Sequence, residues 1–365
     1  MGFSCGIVGL PNSGKSTIFN ALTQAGSPVA AYPFCTIEPK EGMVSVPDRR
    51  LERLAELVKP PAVTPTTLTF VDIAGLVKGA HSGEGLGNRF LSHIREMDAV
   101  AHVVRFFDTG KVAHVHETVD PCRDFDVVQT ELLLADLETV QRRREKSERM
   151  ALVGDKEVRK ELDLLHRLEA SLGRGLPAST VSPRDPREAE VLRELFLLTA
   201  KPCFVVANLG EDQVGRAEEV VAPLRAHLSS WRFPVVALCG KLEMELAELS
   251  AEDRGEFMRD LGIVEMGLGR VVEAGYGILG LVTFYTTVGT ELRAWTVPSG
   301  TPAPRAAGRI HTDMEKGFIK AEIIPFGLFD RHSGEQGVRR AGLARVEGKD
   351  YCIADGDVAY FHFRA

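Results

Sequence analysis

Apolar residues along this chain follow two alternating rhythms. Short apolar runs at 5–8, 42–46, 67–71, 99–107, 203–207 and 234–238 read as strands. Between them the apolar positions fall at helical spacing: Ile18, Phe19, Ala21 and Leu22, then Leu51, Leu54, Leu57 and Val58 behind an N-cap Asp48, then a segment at 87–97. Strands alternating with helices predict a mainly parallel sheet of α/β type. The rhythm breaks at 124–200, where two apolar stripes (Leu132, Leu133, Leu137, Val140, and Leu162, Leu165, Leu168, Leu172) flank Gly154-Asp155 and predict an inserted helical hairpin. Helices at 251–275 close the first unit. Beyond about residue 279 the pattern shortens to strands at 281–286, 291–296, 307–311, 317–322 and 357–363, separated by glycine turns. The expected division is therefore 1–123 with 201–278, an insertion at 124–200, and a small unit at 279–365.

The strongest chemistry lies at the first strand's end. Gly9-Leu10-Pro11-Asn12-Ser13-Gly14-Lys15-Ser16-Thr17 carries G-x-x-x-x-G-K-S between an apolar run and a helical pattern. Glycines at both ends let the backbone curl with its N–H groups inward, the lysine supplies a point charge, the serine a magnesium-binding hydroxyl, and the helix its positive end. Backbone groups of Asn12, Ser13, Gly14, Lys15, Ser16 and Thr17 are the candidate phosphate cradle. A second element, Asp72-Ile73-Ala74-Gly75, ends another strand: Asp72 suits magnesium, and the Gly75 N–H suits the terminal phosphate. The proline-marked stretch 30–39 reads as a surface loop containing Thr36. The glycine-rich run 79–87 lacks the spacing and the abutting strand of a dinucleotide fingerprint, and reads as a loop that rearranges with the phosphate.

Bulk properties narrow the partners. The chain has 365 residues, with 44 Lys plus Arg against 51 Asp plus Glu and a net charge of -7, so nothing at whole-chain level favours DNA or RNA. Any RNA contact must come from a local patch. Arg142-Arg143-Arg144 is one candidate, although a solvated helix face explains it more simply. Arg293, Arg305, Arg309, Lys316 and Lys320 form another, with scattered surface charge as the equal alternative. Six cysteines without a C-x-x-C pair suit a reducing cytosol, and no membrane span or signal-type start is visible, so a cytoplasmic protein is expected.

These motifs, with Phe34-Cys35-Thr36-Ile37-Glu38-Pro39, Gly83-Glu84-Gly85-Leu86-Gly87-Asn88, Arg293-Ala294-Trp295-Thr296, Gly308-Arg309-Ile310-His311-Thr312-Asp313 and Gly348-Lys349-Asp350-Tyr351, give the chain an end-to-end resemblance to Obg-like ATPases of the YchF family, within the translation-factor class of P-loop GTPases. The resemblance implies a P-loop nucleotide domain, an inserted helical hairpin and a C-terminal β-grasp (TGS) domain. It also implies slow hydrolysis of ATP to ADP, with the ribosome or RNA as partner through the hairpin and TGS domain. Ser13, where a valine is common, and the segment Phe329-Asp330-Arg331-His332-Ser333 are small departures.

Base choice and water activation each turn on single residues. The class usually reads guanine with N-K-x-D, yet here the stretch is Asn208-Leu209-Gly210-Glu211. Without the lysine, and with the acid one methylene longer, guanine loses its specific partner. Asn208, Leu209 and Glu211 are therefore the expected base-contacting residues. The water-orienting glutamine of many relatives is Leu76, which cannot polarise water. By resemblance His114 is the candidate catalytic group beside Lys15, and Asn12 is an alternative as ligand of a potassium ion that replaces an arginine finger. Magnesium is expected on Ser16, Thr36 and Asp72. A GTPase of ribosome-assembly type and a binding scaffold with a nearly inactive site stay open as alternatives.

Overall fold

The computed structural model describes residues 2–25, 40–73, 86–108, 110, 118–151, 156–260, 263, 265–287 and 290–364. Twelve strands occur among them: β1 (Phe3–Val8), β2 (Lys40–Ser45), β3 (Ala62–Thr64), β4 (Thr67–Asp72), β5 (Ala99–Arg105), β6 (Cys203–Asn208), β7 (Val235–Leu238), β8 (Leu281–Thr286), β9 (Glu291–Pro298), β10 (Phe318–Pro325), β11 (Arg345–Glu347) and β12 (Asp357–Phe363). Five helices matter most: α1 (Lys15–Ala25), α2 (Arg49–Val58), α3 (Leu86–Glu96), α4 (Pro121–Ala151) and α5 (Lys156–Leu172). The chain divides into two compact units, residues 1–44 with 69–275, and residues 45–68 with 276–365.

The first unit holds a six-stranded sheet in the order β2-β4-β1-β5-β6-β7. β1, β5, β6 and β7 run parallel, with Val8 opposite His102, Arg105 opposite Asn208, and Asn208 opposite Leu238. β5 is buried along its whole length, as a central strand covered on both faces must be. Parallel pairing brings the ends of these strands to one edge, where ligands of open α/β sheets bind.

The insertion is helical. α4 opens with Pro121 and an Asp120 whose carboxylate accepts from the Arg123 N–H at 3.1 Å. It packs on α5 through Leu133, Val140, Leu164, Leu165, Leu168 and Leu172. The Gly154-Asp155 junction lies outside the described residues. The three consecutive arginines are each met by acids: Arg142 by Glu138, Arg143 by Glu161 at 2.6 Å and Glu194 at 3.2 Å, and Arg144 by Glu169 at 3.3 Å and Glu148 at 3.5 Å. Each thus has an acidic neighbour, and the Arg142 pair is exposed. Glu161 is buried; desolvation raises its pKa, but hydrogen bonds from Arg143 and Ser147 outweigh it and hold the carboxyl below its ordinary value.

The second unit holds a sheet in the order β11-β10-β12-β8-β9-β3, with antiparallel β10/β11, β10/β12 and β8/β9 pairs and parallel β12/β8 and β3/β9 pairs. One segment expected as strand, 307–311, is instead the end of a helix, Ala303–Ile310. Pro302 and Pro304 bracket its start, and Ala303, Ala306 and Ala307 recur at helical spacing with no exposure. Gly308 allows a close approach, because a Cβ there would lie 2.9 Å from the Glu315 Cβ. Short helices Phe326–Arg331 and Glu335–Arg340 are not visible in the sequence pattern.

Residues 45–68, read from the sequence as part of the nucleotide domain, cluster with this second unit. Leu51 and Leu54 of α2 enter a core with Tyr285, Leu292, Ile324, Phe329 and Val338. Polar groups fasten the same contact. Asp48 caps α2 by accepting from the Arg50 N–H at 3.0 Å, and its other oxygen accepts from the Tyr285 hydroxyl at 2.5 Å. Arg50 donates to Asp355 at 2.6 Å, and Asp355 accepts from the Thr283 N–H at 2.9 Å. Burial, then the bond to Asp48, pushes the Tyr285 pKa far up. Asp48→Ala removes the cap, worth about 1 kcal/mol, and orphans a buried hydroxyl at about 1–3 kcal/mol. We expect a loss of about 2–4 kcal/mol in total by urea unfolding, with faster hydrogen exchange in 276–364 and unchanged exchange in β5.

Candidate nucleotide-binding site

The loop after β1 is shaped by two glycines and one asparagine. Gly9, Asn12 and Gly14 have φ of 153°, 61° and 93°. A Cβ on Gly9 would strike the Val103 carbonyl at 2.4 Å, and one on Gly14 would strike the Asn208 amide nitrogen at 2.1 Å. Both glycines are thus required by close approach as well as by φ. The Ile18 N–H donates to the Gly14 carbonyl at 3.0 Å and starts α1.

The loop's carbonyls are held by side chains. Lys15 Nζ donates to the Leu10 carbonyl at 2.8 Å and the Gly9 carbonyl at 3.2 Å. Asn208 Nδ2 donates to the Ser13 carbonyl at 3.0 Å, and Arg105 Nη1 to the Asn12 carbonyl at 3.5 Å. The Ser13 N–H is taken by the Leu10 carbonyl at 3.3 Å, so the N–H groups that follow, at the start of α1, are the ones that suit an anion in the manner of a phosphate nest. Lys15 is 7% exposed. Burial lowers its pKa to about 8, against an opposing pull from Asp72. Ser16 Oγ donates to Asp72 Oδ2 at 2.8 Å, so two hard oxygen donors stand side by side beside the lysine. That pair fits magnesium, which takes one or two protein oxygens plus phosphates and water. No group of three or more His, Cys, Asp or Glu that could hold a metal ion occurs among the described residues.

The stretch Asn208 to Glu211, expected to meet the base, is anchored. Asn208 ends β6, and its amide orientation is settled by its partners: Nδ2 faces the Ser13 carbonyl, and Oδ1 accepts from the Gly240 N–H at 2.9 Å. Leu209 is 2% exposed and packs with Ala207, Val221 and Ala237, leaving only its backbone to meet a ligand. Glu211 pairs with Lys241 at 2.5 Å. Phe107 stands between the two parts: its ring lies 3.9 Å from where a Gly14 Cβ would be, and its Cβ lies 3.5 Å from that of Gly210.

The structure therefore gathers Asn12, Ser13, Gly14, Lys15, Ser16, Asp72, Asn208 and Glu211 at one edge of the sheet, with Thr17 in the first turn of α1. Thr36, Gly75, Leu76 and His114 lie outside the described residues. The Ser13 hydroxyl is buried without a hydrogen-bond partner, and nothing in the structure explains why serine stands there. Arg105 and Phe107 belong to the site without being among the residues expected from the sequence. The available signal was a charged residue closing a seven-residue strand that is otherwise apolar apart from His102.

A glycine-shaped loop, a buried lysine and a serine–aspartate pair at the edge of this sheet define a P-loop nucleoside triphosphate hydrolase. Residues 4–163 match the family described as 50S ribosome-binding GTPase. Residues 281–364 match the C-terminal model of YchF GTPases, described as a protein of unknown function. The chain is 49% identical over 368 residues to the ribosome-binding ATPase YchF of Escherichia coli O157:H7, covering 100% of this chain and 99% of that protein. It is 46% identical to the protein of the same name from Bacillus subtilis, with both chains fully covered. The solved structure of the Schizosaccharomyces pombe YchF GTPase superposes with a TM-score of 0.87 at 35% identity, covering 99% of this chain and 97% of that one. The chain belongs to the YchF family.

The lowered Lys15 pKa has a consequence for binding. Phosphate beside the ammonium favours its charged form, so binding above pH 8 takes up a proton, and affinity falls as pH rises. From pH 7 to 9 the affinity for ADP should weaken about tenfold. Calorimetry in buffers of different ionisation enthalpy tests this, and a flat profile without proton uptake would contradict it.

Proposed function

We propose that this chain is a ribosome-associated switch that binds ATP and slowly hydrolyses it to ADP and phosphate. The observation that carries the reading is a braced phosphate loop with a serine–aspartate pair, beside a stretch that lacks the partners guanine needs. Asn208 is tied at both ends of its amide, Leu209 is turned into the core, and the Glu211 carboxylate is engaged by Lys241. A site that cannot satisfy the guanine donors has no reason to select guanine. The names of the bacterial relatives, ribosome-binding ATPases, support both the nucleotide and the partner. No described helix is long and apolar enough to cross a membrane, and action on ribosomes would place the protein in the cytoplasm.

In this reading the N–H groups at the end of the loop and in the first turn of α1 hold the phosphates, and Lys15 neutralises charge between the last two. Ser16, Asp72 and Thr36 would hold magnesium, which draws off the charge that builds on the phosphate oxygens. Gly75 contacts the terminal phosphate. Catalysis is then positioning and electrostatics. Leu76 contributes no water activation, so His114, a potassium ion at Asn12, or the partner supplies it. With Arg142, Arg143 and Arg144 each paired to an acid, that run would offer a ribosome less free charge than its sequence suggests, while the second unit would dock as a TGS domain.

Multiple-turnover ATP hydrolysis with and without ribosomes tests the proposal. Turnover should be slow alone, rise with ribosomes, and drop by at least about a hundredfold in Lys15→Ala. Equal rates in wild type and Lys15→Ala would overturn it.

A further inference from the structure

Arg105 is among the largest side chains with almost no exposure, at 2%. It sits at the end of β5, beneath the phosphate loop, in a strand whose other side chains are apolar except His102. Burying a guanidinium costs several kcal/mol, and well-packed apolar residues usually replace a buried ionic group without loss of stability. Stability alone therefore gives no reason for a cation here.

Its contacts point elsewhere. Nη1 donates to the Asn12 carbonyl at 3.5 Å, Nε donates to the Phe107 carbonyl at 2.9 Å, and the guanidinium carbon lies 4.4 Å from the centre of the Phe107 ring. Asn12 has left-handed φ without being glycine, and the peptide that follows it is pinned on both sides, its carbonyl by Arg105 and the Ser13 N–H by the Leu10 carbonyl at 3.3 Å. The other three loop carbonyls met by side chains are held by Lys15 and Asn208. Arg105 completes the set. Through Phe107 the same side chain also fixes the group that borders Gly14 and Gly210.

We propose that Arg105 is a positioning residue of the phosphate loop: a buried planar fork that holds the Asn12 carbonyl outward and Phe107 in place, so that the cradle stands ready for diphosphate before nucleotide arrives. It touches no substrate. A lysine keeps the charge but is a point donor and cannot reproduce the fork or lie flat on the ring. The inference rests on the nucleotide site proposed for this chain.

The test uses the full chain and three proteins: wild type, Arg105→Met and Arg105→Lys. Affinities for ADP, pyrophosphate and adenosine are measured by calorimetry, next to melting temperature and ATP turnover. Both variants should bind ADP and pyrophosphate at least about tenfold more weakly, because a nest not held open must be ordered on binding. Adenosine affinity should change by less than about twofold, and KM for ATP should rise more than kcat falls. A merely structural arginine would lower the melting temperature and leave these ratios alone. Wild-type ADP affinity in folded Arg105→Met overturns the inference, as does full recovery in Arg105→Lys, which would show that charge alone is used. If wild type itself binds neither ADP nor pyrophosphate, the nucleotide reading fails instead.

Discussion

The carbonyl oxygens of Gly9, Leu10, Asn12 and Ser13 each accept a hydrogen bond from a side chain, and the rest of the first unit is arranged to supply those donors. A loop can show its N–H groups to an anion only if its C=O groups are satisfied elsewhere, since every buried backbone group needs a partner. Lys15 comes from the helix the loop opens, Arg105 from the neighbouring strand, and Asn208 from the strand beyond that. The parallel register that sets Arg105 opposite Asn208 is what lets two donors reach one loop. The buried sheet thus fixes the cradle.

The same dependence reaches the stretch expected to meet the base. Asn208 serves the loop through one end of its amide and the Gly240 N–H through the other, so the residue that opens the base motif is first a brace. The next residues differ from a guanine reader at both points that matter, with an apolar side chain in the core at Leu209 and an acid paired with Lys241 at Glu211. The phosphate loop and the stretch expected to meet the base thus share one asparagine.

Local signals made the phosphate loop, the capped helix α2, the strand–helix alternation and the hairpin legible, because each is written in neighbouring residues: G-x-x-x-x-G-K-S, Asp48 before an apolar stripe, two leucine stripes. Contacts between distant residues were not. Residues 45–68 cluster with a unit that begins more than two hundred residues later, through Tyr285 and Asp355, and no local pattern announces that. Residues 307–311 have a strand-like look around Ile310, but Ala303, Ala306 and Ala307 must be read together to see a helix. Arg105 was hidden for the opposite reason. Its apolar surroundings made it look like the end of a strand, when a charge in such a place is itself the signal.

The claim that this loop reads phosphate without selecting guanine is tested most directly by the ratio of ATP to GTP affinity on nucleotide-free protein, measured by competition against one fluorescent ADP analogue. ATP binding at least as tightly as GTP is the expected result. Tight GTP with weak ATP would contradict it, and would mean that Asn208 to Glu211 form a guanine site after all.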